Sequence, residues 1–370
     1  MLEILKQSND PGICMPLVEA VLEKAKEFQK KFGRKPAFME VCGSHTMALA
    51  KTGVKQCLKA DVNLISGPGC PVCVTDQKSI DAMIALSDED NRIICTFGDM
   101  MRVPGSNKTL LDKKIAGSDI RVVYSPIDTV TIAEENPDKE VIFLGVGFET
   151  TIPILTLMVG EAKKREITNF SIWMTTKLVE PVLRYLLEAG DVKLDGFILP
   201  GHVSIVLGES SYNYLVEEYH MSGSITGFET ADLLSTIYKL IDLALQEKTA
   251  IENNYSSVVS ESGNEVAKQW METYLTTCDE AWRGIGVISN SGLDLKKEYD
   301  LYNAKKRFKV EVGEPRKTKC RCGEVIRGLI SPSECQLFGK ACQPLNPIGP
   351  CMVSAEGSCA AYYQYMRESL

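Results

Sequence analysis

Ser66-Gly67-Pro68-Gly69-Cys70-Pro71-Val72-Cys73-Val74-Thr75 joins a short apolar run at 62–65 to a helix-like segment at 76–86. The pattern predicts a strand, a turn and a helix, with two cysteines separated by two residues in the turn. Free backbone N–H groups and the positive end of a helix dipole favour a thiolate at such a position. Pro71 suits the first helical position, where the missing N–H is not needed. A C-x-x-C pair held this way can cycle between dithiol and disulfide, or bind a metal. Two buried cysteines that happen to be close are the plainer reading, and the Gly-Pro-Gly lead-in favours redox or metal chemistry over it.

Outward from this stretch the same strand–loop–helix unit recurs. Residues 17–32 carry apolar side chains at helical spacing and stop at Gly33. A strand at 37–41 runs into Cys42-Gly43-Ser44-His45-Thr46, and a helix over 46–51 follows. Downstream, a strand at 92–97 leads into Gly98-Asp99-Met100-Met101-Arg102-Val103-Pro104-Gly105-Ser106, then a helix from Lys108 and a strand at 120–124. Asp99 and Arg102 are placed to pair and fix that loop. A second series starts after Asn136-Pro137-Asp138, with strands at 140–145, 170–175, 196–199 and 224–227 and helices at 152–164, 180–189 and 232–245.

This alternation predicts an α/β fold: two Rossmann-like three-layer lobes whose parallel sheets face a cleft, plus a C-terminal cysteine-rich region. The expected divisions are 1–135 for the first lobe, 136–250 for the second and 251–370 for a helical and cysteine-rich part. Open α/β sheets bind ligands at the carboxyl edge of their strands. Cys42, Cys70 and Cys73 fall at that edge in the first lobe. Glu149-Thr150-Thr151 and Gly201-His202 fall at the matching edge of the second.

The 370 residues are 44% hydrophobic and 24% charged, the balance of an ordinary globular chain. A net charge of −8 argues against a nucleic-acid binder, which carries a basic stripe. No stretch reaches the roughly 20 apolar residues of a membrane span. Residues 1–16 contain acids and lack the apolar core of a secretory signal, so the expected location is the cytoplasm. In that reducing compartment 13 cysteines are read as ligands or catalysts rather than structural disulfides.

Six of them, Cys320, Cys322, Cys335, Cys342, Cys351 and Cys359, crowd a Pro- and Gly-rich tail with few aliphatic residues, where metal ligation can replace a core. Zinc usually takes paired C-x-x-C knuckles or histidines. Cys320-x-Cys322 is too tight for a knuckle, and no histidine occurs beyond His220. Cysteines scattered singly through loops can wrap an iron–sulfur cube, with Cys320, Cys335, Cys342 and Cys359 as one choice of corners. Spacing favours the cluster only modestly over zinc.

Cys42-Gly43-Ser44-His45-Thr46, 67–73, 96–105, Gly147-Phe148-Glu149-Thr150-Thr151, Pro200-Gly201-His202-Val203-Ser204, Trp282-Arg283-Gly284 and the tail from Cys322-Gly323-Glu324 to Cys359 together resemble the HypD family of hydrogenase maturation factors. The likeness covers nearly the whole chain in order. It departs at Thr230, where proline is expected, and near Tyr255, where an arginine is. The resemblance implies a redox-active scaffold on which the Fe(CN)2CO group of [NiFe]-hydrogenase is assembled. It implies work with a HypC-type chaperone and cyanide received from a HypE-type donor that a HypF-type protein charges, the chain being a monomer within heteromeric complexes.

It further implies Cys42 as iron ligand, Cys70 and Cys73 as the redox pair, and a [4Fe-4S] cluster on Cys320, Cys335, Cys342 and Cys359. A soft thiolate at a strand end suits low-spin iron carrying CO and cyanide, against the plainer reading of a packed cysteine. His45 then serves to hydrogen-bond that thiolate, pass a proton or cap the helix, or is purely structural. Glu149 and His202 line the cleft and polarise a cyanide donor, or only form turns. A phosphate loop at Gly145-x-Gly147-x-x-Thr150 is disfavoured, since no lysine accompanies it and Glu149 is acidic. Two other classes stand beside the scaffold: a stand-alone iron–sulfur thiol–disulfide oxidoreductase, which leaves Cys42 without a task, and a zinc-stabilised binding module.

Overall fold

β1 (Ala37–Glu40) and β2 (Asn63–Ser66) run parallel, with Phe38 beside Leu64 and Glu40 beside Ser66. The computed structural model, which describes residues 8–366, does not place the next strands on this sheet. β3 (Arg92–Thr96), β4 (Ile120–Val122), β5 (Glu140–Gly147) and β6 (Phe170–Thr176) form a second parallel sheet in the order β4-β3-β5-β6. The chain then returns: β7 (Gly196–Pro200), β8 (Gly223–Thr226) and β9 (Ile251–Asn253) complete the first sheet as β2-β1-β7-β8-β9. β10 (Leu275–Trp282) and β11 (Gly286–Leu295) make an antiparallel hairpin.

The fold is α/β with two Rossmann-like lobes, as the alternation predicts, but the strands do not divide into consecutive halves. The second sheet, 92–176, is inserted between β2 and β7 of the first. Each crossover is locally the same strand–helix–strand unit, so nothing in the alternation itself says which sheet a strand will join. His202 consequently belongs to the sheet that carries Cys42, while Glu149 belongs to the other.

Both sheets are buried on two faces, which explains unbroken apolar strands such as β5 and β6. Helices Pro11–Phe32 and Thr230–Leu245 cover the outer face of the first sheet through Val21, Phe28, Leu233 and Ile237. Helices Asp128–Glu135 and Ile152–Lys164 cover that of the second. The largest core cluster lies between them, with Met39, Val41, Phe197 and Leu199 from one sheet and Ile94, Ile142 and Leu144 from the other. Cys70, Cys73, Cys322, Cys351 and Trp282 belong to that same cluster.

Local signals set several boundaries. The first described helix starts at Pro11, ahead of the expected 17, because the Asp10 carboxylate accepts the Gly12 N–H at 2.7 Å. Gly33, at φ 69°, ends it in the left-handed conformation. The hairpin and β9 lie in the part expected to be helical and cysteine-rich, where the chain after the hairpin forms a 3-10 turn, Lys297–Tyr302, followed by Ala304–Arg307. The hairpin covers the free edge of β6: Leu178 N donates to Ser291 O at 2.9 Å, and Thr176 Oγ1 donates to Leu293 O at 2.9 Å. Among the described residues no helix is long and apolar enough to cross a membrane.

Candidate functional site

Strand order reverses between β1 and β7 in one sheet and between β3 and β5 in the other, and the loops leaving those strands carry the chemistry. After β1, Cys42 takes the extended N-cap position of helix Gly43–Lys51, which begins three residues earlier than the expected helix. The amides of Ser44 and His45 and the Ser44 hydroxyl face its sulfur. Burial, reinforced by the charge of Glu356, outweighs them and pushes the thiol up to about 11. In this closed arrangement Cys42 is a thiol at neutral pH, and a metal that takes its sulfur must displace the proton.

The C-x-x-C turn rests directly on this residue. A Cβ on Gly69 would stand 2.5 Å from both N and Cα of Cys42, and Gly43 N donates to Gly69 O at 3.3 Å. Only glycine permits that approach. Cys70 and Cys73 are joined as a disulfide, their Cα atoms 5.2 Å apart. Cys70 caps the short helix Pro71–Val74, and its sulfur accepts the Cys73 N–H at 3.2 Å. Asp76 caps a separate helix, Gln77–Ala85, so the expected single helix is two.

His45 is fully buried, and its ring does not bond Cys42. Its Nε2 donates to Thr226 O at 3.3 Å, its backbone amide serves Cys42, and Nδ1 has no partner. Burial drives its pKa down to about 4, so the ring is neutral. The Phe228 ring packs at a tilt against both imidazoles, with centroids 4.7 Å from His45 and 4.2 Å from His202. His202 is exposed. Glu149 follows β5 and is buried; its Oε1 accepts the Val179 N–H at 2.8 Å and its Oε2 has no partner. Burial pushes that carboxyl up to about 7. Tyr212, whose hydroxyl accepts from Ser204 Oγ at 3.1 Å, is buried in the core cluster that both sheets share.

The six tail cysteines line one small pocket together with Phe338, Leu337 and Met352. Cys322 and Cys351 Sγ lie 2.7 Å apart, as a close pair of thiols. Cys342 accepts the Ile348 N–H at 3.3 Å, and a Cβ on Gly349 would meet Cys320 Sγ at 2.5 Å. Among the described residues no three His, Cys, Asp or Glu side chains are posed round a single ion. An all-thiol donor set in an apolar pocket fits an iron–sulfur cluster by its chemistry.

Several contributors were not legible in the sequence. Asp99 and Arg102 do not pair: Asp99 Oδ2 accepts from Ser354 Oγ at 3.0 Å, and Arg102 donates to Pro344 O at 3.5 Å, so both hold the tail. Lys177, at the end of β6, is fully buried, 3.2 Å from Glu280 Oε1 and 5.7 Å from the Trp282 ring centroid. Desolvation lowers its pKa against the pull of Glu280. Glu280 sits in the hairpin that periodicity missed, which hides the pair. Under Cys42, Glu40 binds Lys55 at 2.5 Å and Thr46 at 2.6 Å, a buried network that a charged residue ending an apolar strand could have signalled.

The family profile HypD, described as "Hydrogenase formation hypA family", matches residues 16–366. The chain belongs to the HypD family. It is 40% identical over 363 residues to Hydrogenase maturation factor HypD of Escherichia coli, covering 97% of this chain and 96% of the relative. HypD2 of Bradyrhizobium diazoefficiens is 40% identical over 369 residues, covering 97% and 96%. HypD of Rhodobacter capsulatus is 38% identical over 370 residues, covering 98% of each chain.

Proposed function

We propose that this chain acts in hydrogenase maturation, as the redox-active scaffold on which iron receives its cyanide and CO groups. Family membership supports the process, and the packing of Gly69 onto Cys42 carries the finer reading. That contact sets an isolated thiol beside a dithiol–disulfide couple at one sheet edge.

In this reading Cys42 anchors the incoming iron, which is substrate rather than resident cofactor. Its proton leaves as the metal arrives, and the Ser44 and His45 amides stabilise the sulfur thereafter. Cys70 and Cys73, when reduced, store the two electrons needed to release cyanide from sulfur, and they return to the disulfide. A [4Fe-4S] cluster held by Cys320, Cys335, Cys342 and Cys359 would supply single electrons. The Cys322–Cys351 pair shares a core with Cys70 and Cys73 and is a second site for thiol exchange. Glu149 and His202 face opposite environments, so Glu149 is the candidate for holding a proton inside the site and His202 for meeting a partner or donor. A HypC-type chaperone and a HypE-type donor, the latter charged by a HypF-type protein, are the proposed partners.

Expression in a hydrogenase-negative strain lacking its own family member tests the process. The parent chain is expected to restore hydrogenase activity, and Cys42→Ala and Cys70→Ser are not. Restoration by Cys42→Ala at the parent level would remove the scaffold reading. The same Cys70–Cys73 couple favours a stand-alone oxidoreductase as second reading; steady reduction of a soluble disulfide without partners would support it.

A further inference from the structure

The tail reaches Cys42 through one short segment, Ser354-Ala355-Glu356. At one end Ser354 Oγ donates to Asp99 Oδ2 at 3.0 Å and Ala355 N donates to the same oxygen at 3.4 Å, in the loop that leaves β3 of the second sheet. At the other, Glu356 Oε1 accepts the Ser44 hydroxyl at 2.7 Å, next to Cys42 on the first sheet. The Glu356 backbone and Cβ lie so close over Gly43 that a side chain there would overlap both. The segment is thus tied to one lobe and lies on the helix start of the other.

The chain on either side of it carries two cysteines of the tail pocket, Cys351 and Cys359. Gly357 N donates to Ser354 O at 3.0 Å, and a Cβ on Gly357 would overlap the Cys351 carbonyl. Cys359 follows at the start of helix Ser358–Tyr365, which packs along helix Gly43–Lys51. That helix is anchored in turn: the Tyr362 ring centroid lies 5.3 Å from Lys55 Nζ, which binds Glu40 two residues before Cys42. Cys42 itself is 9% exposed beneath this cover.

We propose that Ser354–Glu356 is a strap, pinned on Asp99, which closes the two lobes over Cys42 and makes access to that sulfur depend on the state of the tail cysteines. The strap is the only chain between Cys351 and Cys359, so a change of spacing at either cysteine moves it. Release at Asp99 lets Glu356 lift from Gly43 and uncovers Cys42. This inference does not depend on what Cys42 binds.

Alkylation of native protein by iodoacetamide, followed at each cysteine by peptide mass spectrometry, tests it. Exposed Cys57 serves as the reference and buried Cys14 and Cys95 report general loosening. Ser354→Ala and Asp99→Ala each remove part of the pin, and Cys42 is expected to react about tenfold faster with the other three unchanged. Unchanged Cys42 rates in both variants overturn the strap. Where Cys14 and Cys95 also quicken, the unaltered protein decides: hydrogen exchange at Ala355, Glu356 and Gly357 and alkylation of Cys42 must report the same opening equilibrium. Strap amides that exchange far faster than Cys42 reacts overturn the proposal equally.

Discussion

Glu149 shows how one residue's surroundings fix its protonation. Its carboxyl, raised from the ordinary 4.5 to about 7 by burial, is largely protonated below neutrality. The ionised form is the one that folding disfavours, so the stabilising contribution is fully present below pH 4.5 and is lost as pH rises through 7. Glu149→Gln removes the titration and keeps an acceptor for Val179 N. Relative to the parent, this variant is expected to gain up to about 3 kcal/mol between pH 4.5 and pH 8, read as a shift of the urea midpoint. A constant difference between the two proteins across that range would contradict the assignment. Lys177 offers the converse case. Glu280→Ala strands a buried ammonium and is expected to cost about 3–5 kcal/mol, whereas Lys177→Met with Glu280→Gln loses less than Glu280→Ala alone. Thermal melts of the three variants decide it. The sequence displayed Glu149 in a recognisable motif but not its burial, and it hid the Lys177 partnership because Glu280 lies about a hundred residues further along.

At the scale of elements, the strand–turn–helix unit around Cys70 was readable because Gly, Pro and Cys each have a local conformational meaning there. Pro71 at the helix start, Cys70 as cap and the glycines before them all occupy the positions their chemistry predicts. What the turn rests on was not readable, since that contact is with β1 through Gly69. Gly69→Ala is expected to push the turn away from Cys42, destabilising the protein by about 1–3 kcal/mol and lowering maturation activity more than stability alone explains. An alanine variant with parent-level activity would show that the contact is incidental. The hairpin of β10 and β11 was missed for a different reason. Its faces are only partly buried, so apolar alternation is weak, and its place is set by the open edge of β6 that it covers.

At the scale of the whole molecule, the α/β class follows from alternation, but the pairing of strands is a tertiary choice that alternation leaves open. Because 92–176 is inserted into the first sheet, a fragment of residues 1–135 holds parts of both sheets and completes neither. Produced alone, it is expected to show no cooperative unfolding transition by circular dichroism, and a sharp transition would contradict the interleaved arrangement. The tail was identified from its cysteines, yet its reach across both lobes was not. It depends on Ser354 and Glu356, ordinary residues whose partners Asp99 and Ser44 are distant in the chain. The proposed anchoring of CO- and cyanide-bearing iron on Cys42 is tested directly by infrared spectroscopy of protein purified anaerobically with its co-expressed maturation partners. Absorption in the window of metal-bound CO and cyanide, lost in Cys42→Ala while the visible absorption expected of the proposed iron–sulfur cluster is unchanged from the parent, is the expected result. Bands that persist undiminished in Cys42→Ala, or their absence from the parent protein with active partners present, would contradict it.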